Sequence, residues 1–150
     1  MRTAFLLAIV LLPIWTNHCL APDSVAPKPI SPAARDQFRS IKCFAFGGIG
    51  PLGEMSVEER AFHTILESSN ALQFFRTTIT NSTIEASLYA LCGIRQLAPE
   101  SFKQYALSIN DTNQKVTTME GCFLTHERAS NVVARIEQGC YDRFFAPERL

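Results

Sequence analysis

Apolar residues recur along most of this chain at the three-and-four spacing of helices, and the widest apolar stripe runs from Ser82 to Leu97. At about 100° per residue, Ile84, Leu88, Ala90, Leu91, Ile94 and Leu97 sweep out a broad arc. The polar side narrows to Glu85 and Gln96. A helix that apolar is normally buried among other helices, so this segment is the expected core. Ser82 and Glu85 stand at capping-box spacing. Arg95 falls inside the apolar arc and has two readings. Its stem can cover apolar surface while the head reaches water or the last carbonyls, which is the preferred account. The alternative is a buried ion pair with Glu67 or Glu120.

On the N-terminal side, Ile41 to Phe46 reads as extended and runs into the glycine-rich stretch Gly47–Gly53. Gly48, Gly50 and Gly53 spell a G-x-G-x-x-G pattern. A phosphate loop is disfavoured, because Pro51 removes an amide and mostly helical patterns follow instead of a βαβ unit. A flexible turn into a helix is expected. Ser56 and Glu59 form a second capping box, opening a helix with Val57, Ala61, Phe62, Ile65 and Leu66 on one side. His63 lies on the other side, a turn from Glu59 and Glu67. That trio reads as a solvated charged face rather than half a metal site, since no further ligands stand nearby. Ser69 or Asn70 starts a short helix bearing Leu72, Phe75 and Ile79.

Beyond the central stretch, Pro99 is placed to begin a helix carrying Phe102, Tyr105, Ala106 and Ile109. Val116 to Met119 favours an extended segment. A last helix is expected to start at Thr125 or Ser130, with Ala129, Val132, Val133 and Ile136 inward and Gly139 as a left-handed stop. The tail after Cys140 carries three aromatics, suited to packing or to an exposed binding surface. The fold class predicted is mainly α: a compact helical bundle with a small extended element, disulfide-stabilised. Two successive hairpins over residues 56–80 and 83–109 also fit a short α-solenoid, although no sequence repeat supports it.

The ends divide the chain further. One early Arg, an apolar run from Ala4 to Trp15 and a small residue at Ala21 read as a signal peptide over residues 1–21. The run is shorter than the about 20 residues a membrane span needs. A second reading makes Cys19 the lipid anchor of a lipoprotein. Residues 22–40 read as a Pro-rich disordered linker and residues 41–150 as a single helical domain. Four cysteines lie beyond the leader, and an even number after export implies two disulfides. Four cysteines allow three pairings; Cys92–Cys122 and Cys43–Cys140 are favoured. Closing a loop of roughly 100 residues through Cys43 and Cys140 is worth about 4–5 kcal/mol in the loop-entropy picture.

Residues 88–94 (Leu-Tyr-Ala-Leu-Cys-Gly-Ile), 117–122 (Thr-Thr-Met-Glu-Gly-Cys) and 139–142 (Gly-Cys-Tyr-Asp) give residues 41–142 the look of a family. In this arrangement the chain resembles uncharacterised helical domains of bacterial envelope proteins. The resemblance implies a bacterial host, carries no known activity and assigns no functional residue.

Charge and chemistry narrow the function classes. Fourteen basic and fourteen acidic residues balance, and no basic run could track phosphates, so nucleic acid is excluded as an expected partner. Neither a G-x-S-x-G elbow nor an H-E-x-x-H pair occurs, and His63 and His126 alone could serve as bases beyond the leader. The chain therefore reads as a non-enzyme without cofactor or metal: an exported domain that binds another protein, or plays a structural role, in the envelope (periplasm) or outside the cell. The alternative is a carrier of small hydrophobic ligands, motivated by eleven phenylalanines, ten of them beyond Phe5.

Overall fold

In the computed structural model, which describes residues 27–110 and 113–145, the helices are α1 (Pro32–Arg39), α2 (Val57–Leu66), α3 (Ala71–Thr78), α4 (Ile84–Leu97), α5 (Phe102–Asn110) and α6 (Ala129–Glu137). Two small antiparallel sheets accompany them, β1 (Gly48–Ile49) with β2 (Glu54–Met55) and β3 (Lys115–Glu120) with β4 (Phe123–Arg128). None of the described helices is long and apolar enough to cross a membrane. The signal segment 1–21 and the Cys19 anchor lie outside the described residues.

The broad apolar arc becomes the hub. Every residue of α4 from Glu85 to Ile94 is buried, and side chains from all the other helices join its core cluster. Each Leu or Ile enclosed this way contributes about 1.5–3 kcal/mol relative to exposure. The cap is Thr83 rather than Ser82. Its hydroxyl accepts from the Ala86 amide at 3.3 Å and donates to the Ile41 carbonyl. Glu85 is turned toward β3, where it accepts from the Thr117 amide at 3.1 Å. Tyr89 is fully buried among Phe38, Phe44, Phe46 and Phe62. Its hydroxyl donates to the Ala45 carbonyl at 2.5 Å and accepts from the Ala45 amide at 2.9 Å. Burial pushes this phenol far up, so it remains a donor. Gly93 lets α3 approach: a Cβ there would collide with the Phe75 ring.

The expected disordered linker over residues 22–40 is corrected where it is described. Ser31 accepts from the Ala34 amide at 3.2 Å, Pro32 occupies the first turn, and α1 follows. Its anchor is Phe38, fully buried against Phe74, Phe75 and Tyr89. The folded body thus reaches back to the buried Ile30 instead of starting at Ile41.

The glycine-rich stretch forms a hairpin, β1 with β2, before α2 begins. Gly50 and Gly53 take positive φ of 70° and 64° in its turn. At the other end β4 continues to Arg128, so α6 starts at Ala129, beside the Ser130 alternative and not at Thr125. Gly121 at φ 59°, followed by Cys122 with ordinary φ, is the two-residue turn whose twist suits a tight hairpin. Phe44 covers the other edge of β3: its amide donates to the Thr117 carbonyl at 2.8 Å, and its carbonyl accepts from Met119 at 3.1 Å.

The disulfide framework is also corrected, since Cys43, Cys92, Cys122 and Cys140 are all unpaired thiols. Cys92 is enclosed in α4 whereas Cys122 is carried out on the exposed β3–β4 turn. A bridge holds its Cβ atoms within roughly 4.5 Å of each other, and neither Cys92–Cys122 nor Cys43–Cys140 is joined. In the extended segment before α2, neighbours alternate sides. Cys43 lies within electrostatic reach of Glu58 and Glu85, whereas Phe44 meets Tyr141, the neighbour of Cys140. Packing, not covalent linkage, holds this fold.

Candidate functional site

Alternation sorts the β3–β4 hairpin into two faces. Val116, Thr118 and Glu120 share the inner face with their partners Glu127, Thr125 and Phe123. Between that face and the segment after α6 lies an open cleft of about 430 Å3, floored by Phe44 and Phe46. Cys140, Tyr141, Arg143 and Phe144 form its far side.

One ion pair dominates the cleft. Arg135 of α6 donates to both oxygens of Glu127, at 2.8 and 2.5 Å, and its Nε donates to the Tyr141 hydroxyl at 3.0 Å. The Thr118 hydroxyl donates to Glu127 at 3.1 Å and pairs with the Thr125 hydroxyl at 2.7 Å. Hydrogen bonds from Arg135 hold the Glu127 carboxyl below the usual glutamate range, and the same bonds push the guanidinium up. Burial raises the Tyr141 phenol. These groups are committed to one another by charge-assisted hydrogen bonds, which hold this wall of the cleft in one arrangement.

Exposure concentrates at the hairpin tip and its outer strand. Phe123 is 77 % exposed, Leu124 55 % and Leu52, in the β1–β2 turn, 83 %. The two turns are neighbours, because the Gly50 amide donates to the Gly121 carbonyl at 3.0 Å and Ile49 bridges Gly121. Large apolar side chains grouped at a protein surface mark sites of contact with another molecule.

Of the residues singled out by sequence, Arg95 lies over the Phe102 ring, and its ion-pair partner is neither Glu67 nor Glu120. It pairs with Asp142, Nε to Oδ1 at 3.0 Å and the second nitrogen to Oδ2 at 3.1 Å, and is partly exposed. The left-handed turn at Gly139, φ 79°, folds Asp142 back against the last turn of α4. The Asp142 hydrogen bond raises the guanidinium pKa further. Glu67 instead ends α2 in solvent, and Glu120 stands exposed beside the cleft. The ring of His63 packs on Phe62, with centroids 5.6 Å apart, and no metal-ligating group of three occurs among the described residues. His126 shares a 3.2 Å hydrogen bond with the Thr117 hydroxyl.

Sequence reasoning missed the Glu127–Arg135–Tyr141 arrangement and the hairpin that carries it. A signal existed for the hairpin: β-branched residues on both sides of Gly121-Cys122 fit a two-residue turn opening with glycine. No comparable signal joins Glu127 to Tyr141. No family model, curated protein or solved structure matches the chain. What fold and site define together is a small helical domain that displays a β-hairpin.

Proposed function

We propose that the protein is a non-catalytic binding domain that engages another protein through the β3–β4 hairpin, in the cell envelope or outside the cell. The observation that carries this reading is the exposure of Phe123 and Leu124 on a strand whose outer edge no described element covers. Aromatic and aliphatic anchors of this kind dominate binding energy when a partner encloses them. The helices put most of their apolar residues into the core, and Val57, Leu97 and Leu107 are exposed on three different helices, whereas Phe123 and Leu124 stand next to one another on a single strand. A carrier of small hydrophobic ligands draws less support, since the cleft beside the hairpin is open and lined by Glu127, Arg135 and Arg143 as well as by aromatic rings. The setting outside the cytosol rests on the leader-like residues 1–21, and anchoring through Cys19 remains its variant. Unpaired cysteines remove the covalent argument for it.

Affinity capture tests the binding role. Wild type and a Phe123→Ser/Leu124→Ser double variant of equal melting temperature are compared in extracts and in medium of the native host. A partner retained stoichiometrically by wild type and lost by the variant is expected. Equal retention by both, or a stoichiometric lipid in place of protein, contradicts it. Intact mass of the native product reads leader cleavage and any lipid on Cys19.

A further inference from the structure

Resting on the hairpin as the docking element, we propose that β4 accepts an extended acidic peptide segment as an added strand. The backbone of that segment bonds to Leu124 and His126, and its acidic side chain lies against Lys115 and Arg128.

The register fixes which backbone groups are free. In an antiparallel pair, residues that exchange both hydrogen bonds alternate with residues that exchange none. The Met119 amide and the Thr117 carbonyl bond to Phe44, and the Thr117 amide donates to Glu85. Both residues therefore turn their backbones away from β4. Their partners Leu124 and His126 are the matching positions of β4, so their N–H and C=O groups point out of the sheet. Residues 123–126 and 128 are all exposed, leaving that edge open. Two donors and two acceptors at alternate residues are the template on which a peptide adds as a further strand.

Charge identifies the occupant. Leu124, His126 and Arg128 share the outer face with Met119, Thr117 and Lys115. Lys115 and Arg128 stand directly opposite one another at a non-hydrogen-bonded position, where side chains are closest. Like charges so placed are destabilising. The ion pairs Arg95–Asp142 and Arg135–Glu127 engage neither Lys115 nor Arg128. A carboxylate on an added strand, about 4.8 Å from β4 on its open side, would stand beside Arg128 on the outer face, draw its guanidinium away from Lys115, and come within reach of the long Lys115 side chain. At the other end of the same face, Leu124 and Met119 suit an apolar residue. A second copy of the chain is the poorer occupant, because its edge would bring the same Arg128 and His126.

The test titrates the full chain with a fluorescent octapeptide, Thr-Val-Thr-Val-Thr-Glu-Thr-Glu, and with its reversed sequence to cover both strand directions. Lysine-for-glutamate versions and versions N-methylated at alternate amides, one for each set, serve as controls. At least one orientation of the acidic peptide should bind, about tenfold more tightly than its lysine version, with affinity falling as salt rises. Arg128→Glu should weaken it about tenfold. Leu124→Pro should abolish binding while keeping the melting temperature, since proline is tolerated where an edge N–H faces solvent. N-methylation of one alternate set should do the same. The proposal is overturned by equal binding of acidic and basic peptides, by binding that survives Leu124→Pro, or by no binding of either orientation. Self-association abolished by Leu124→Pro, without peptide binding, would make a second copy the occupant. Should the peptides fail while Phe123/Leu124-dependent capture persists, the hairpin remains the docking element and only the added strand is lost.

Discussion

α4 and β4 are opposite solutions to placing a segment in a fold. In α4 ten consecutive residues are buried, and the side chains themselves define where the helix sits. In β4 Glu127 alone is shielded, and the strand holds its place through backbone pairing to β3 and the Gly121 turn. Identity at each position is fixed by the neighbours in α4, whereas along β4 it is largely free. A molecule can vary its partners on such a strand without disturbing what folds it. The contrast also locates the energy: burial is gathered in the hub, and the hairpin adds little to it.

Four experiments probe that contrast, beginning with the hub. Tyr89→Ala should cost about 3–5 kcal/mol, the range for removing a large buried ring, with Gly93→Ala following at about 1–3 kcal/mol for the clash with Phe75. Urea melts measure both, and a loss below 1 kcal/mol at Tyr89 would mean the hub is not the support claimed here. Glu127→Gln should cost no more than about 1 kcal/mol at pH 7, since Arg135 is partly exposed and solvent screens the pair. The Glu127 carboxyl is lowered in the folded chain, so its contribution is complete above the ordinary glutamate value of about 4.3 and fades as pH falls through the lowered one. Wild type and variant should converge in acid; a gap that widens there contradicts the pairing. The smallest effect is kinetic. Iodoacetamide should label Cys122 and Cys140 in the native state, Cys43 more slowly, and Cys92 only on unfolding, as burial raises the last two thiols. Reducing agent should leave the melting temperature unchanged, and any of the four proving unreactive until reduced would restore a disulfide.

Legibility in the sequence followed the same divide. The helices could be read because their cores repeat at helical spacing, and Ser56 caps α2 as its spacing predicted, accepting from the Glu59 amide at 2.9 Å. Phe38 could not, being one aromatic in a polar run whose partners lie on α3 and α4. Ser82 and Thr83 are neighbouring hydroxyls, and it takes the Ile41 carbonyl, distant in sequence, to favour Thr83 as the cap. The hairpin was obscured because Thr125-His126-Glu127 lacks apolar alternation, and the inward pattern from Ala129 onward extends back over it just as well. Cysteine parity misled for a plainer reason: an even number says nothing about which thiols are buried. The Asp142 partner of Arg95 and the Glu127–Arg135–Tyr141 cluster depend on where the chain returns after Gly139, which local periodicity does not encode.

Residue-resolved hydrogen exchange on the free protein tests the central contrast most directly. Slow exchange through the middle of α4 is the predicted result, with an alternation along β4 in which Phe123, Thr125 and Glu127 are protected while Leu124 and His126 exchange at nearly unfolded rates. Equal protection of Leu124 and His126 with their neighbours, or α4 exchanging as fast as the hairpin, would contradict the account.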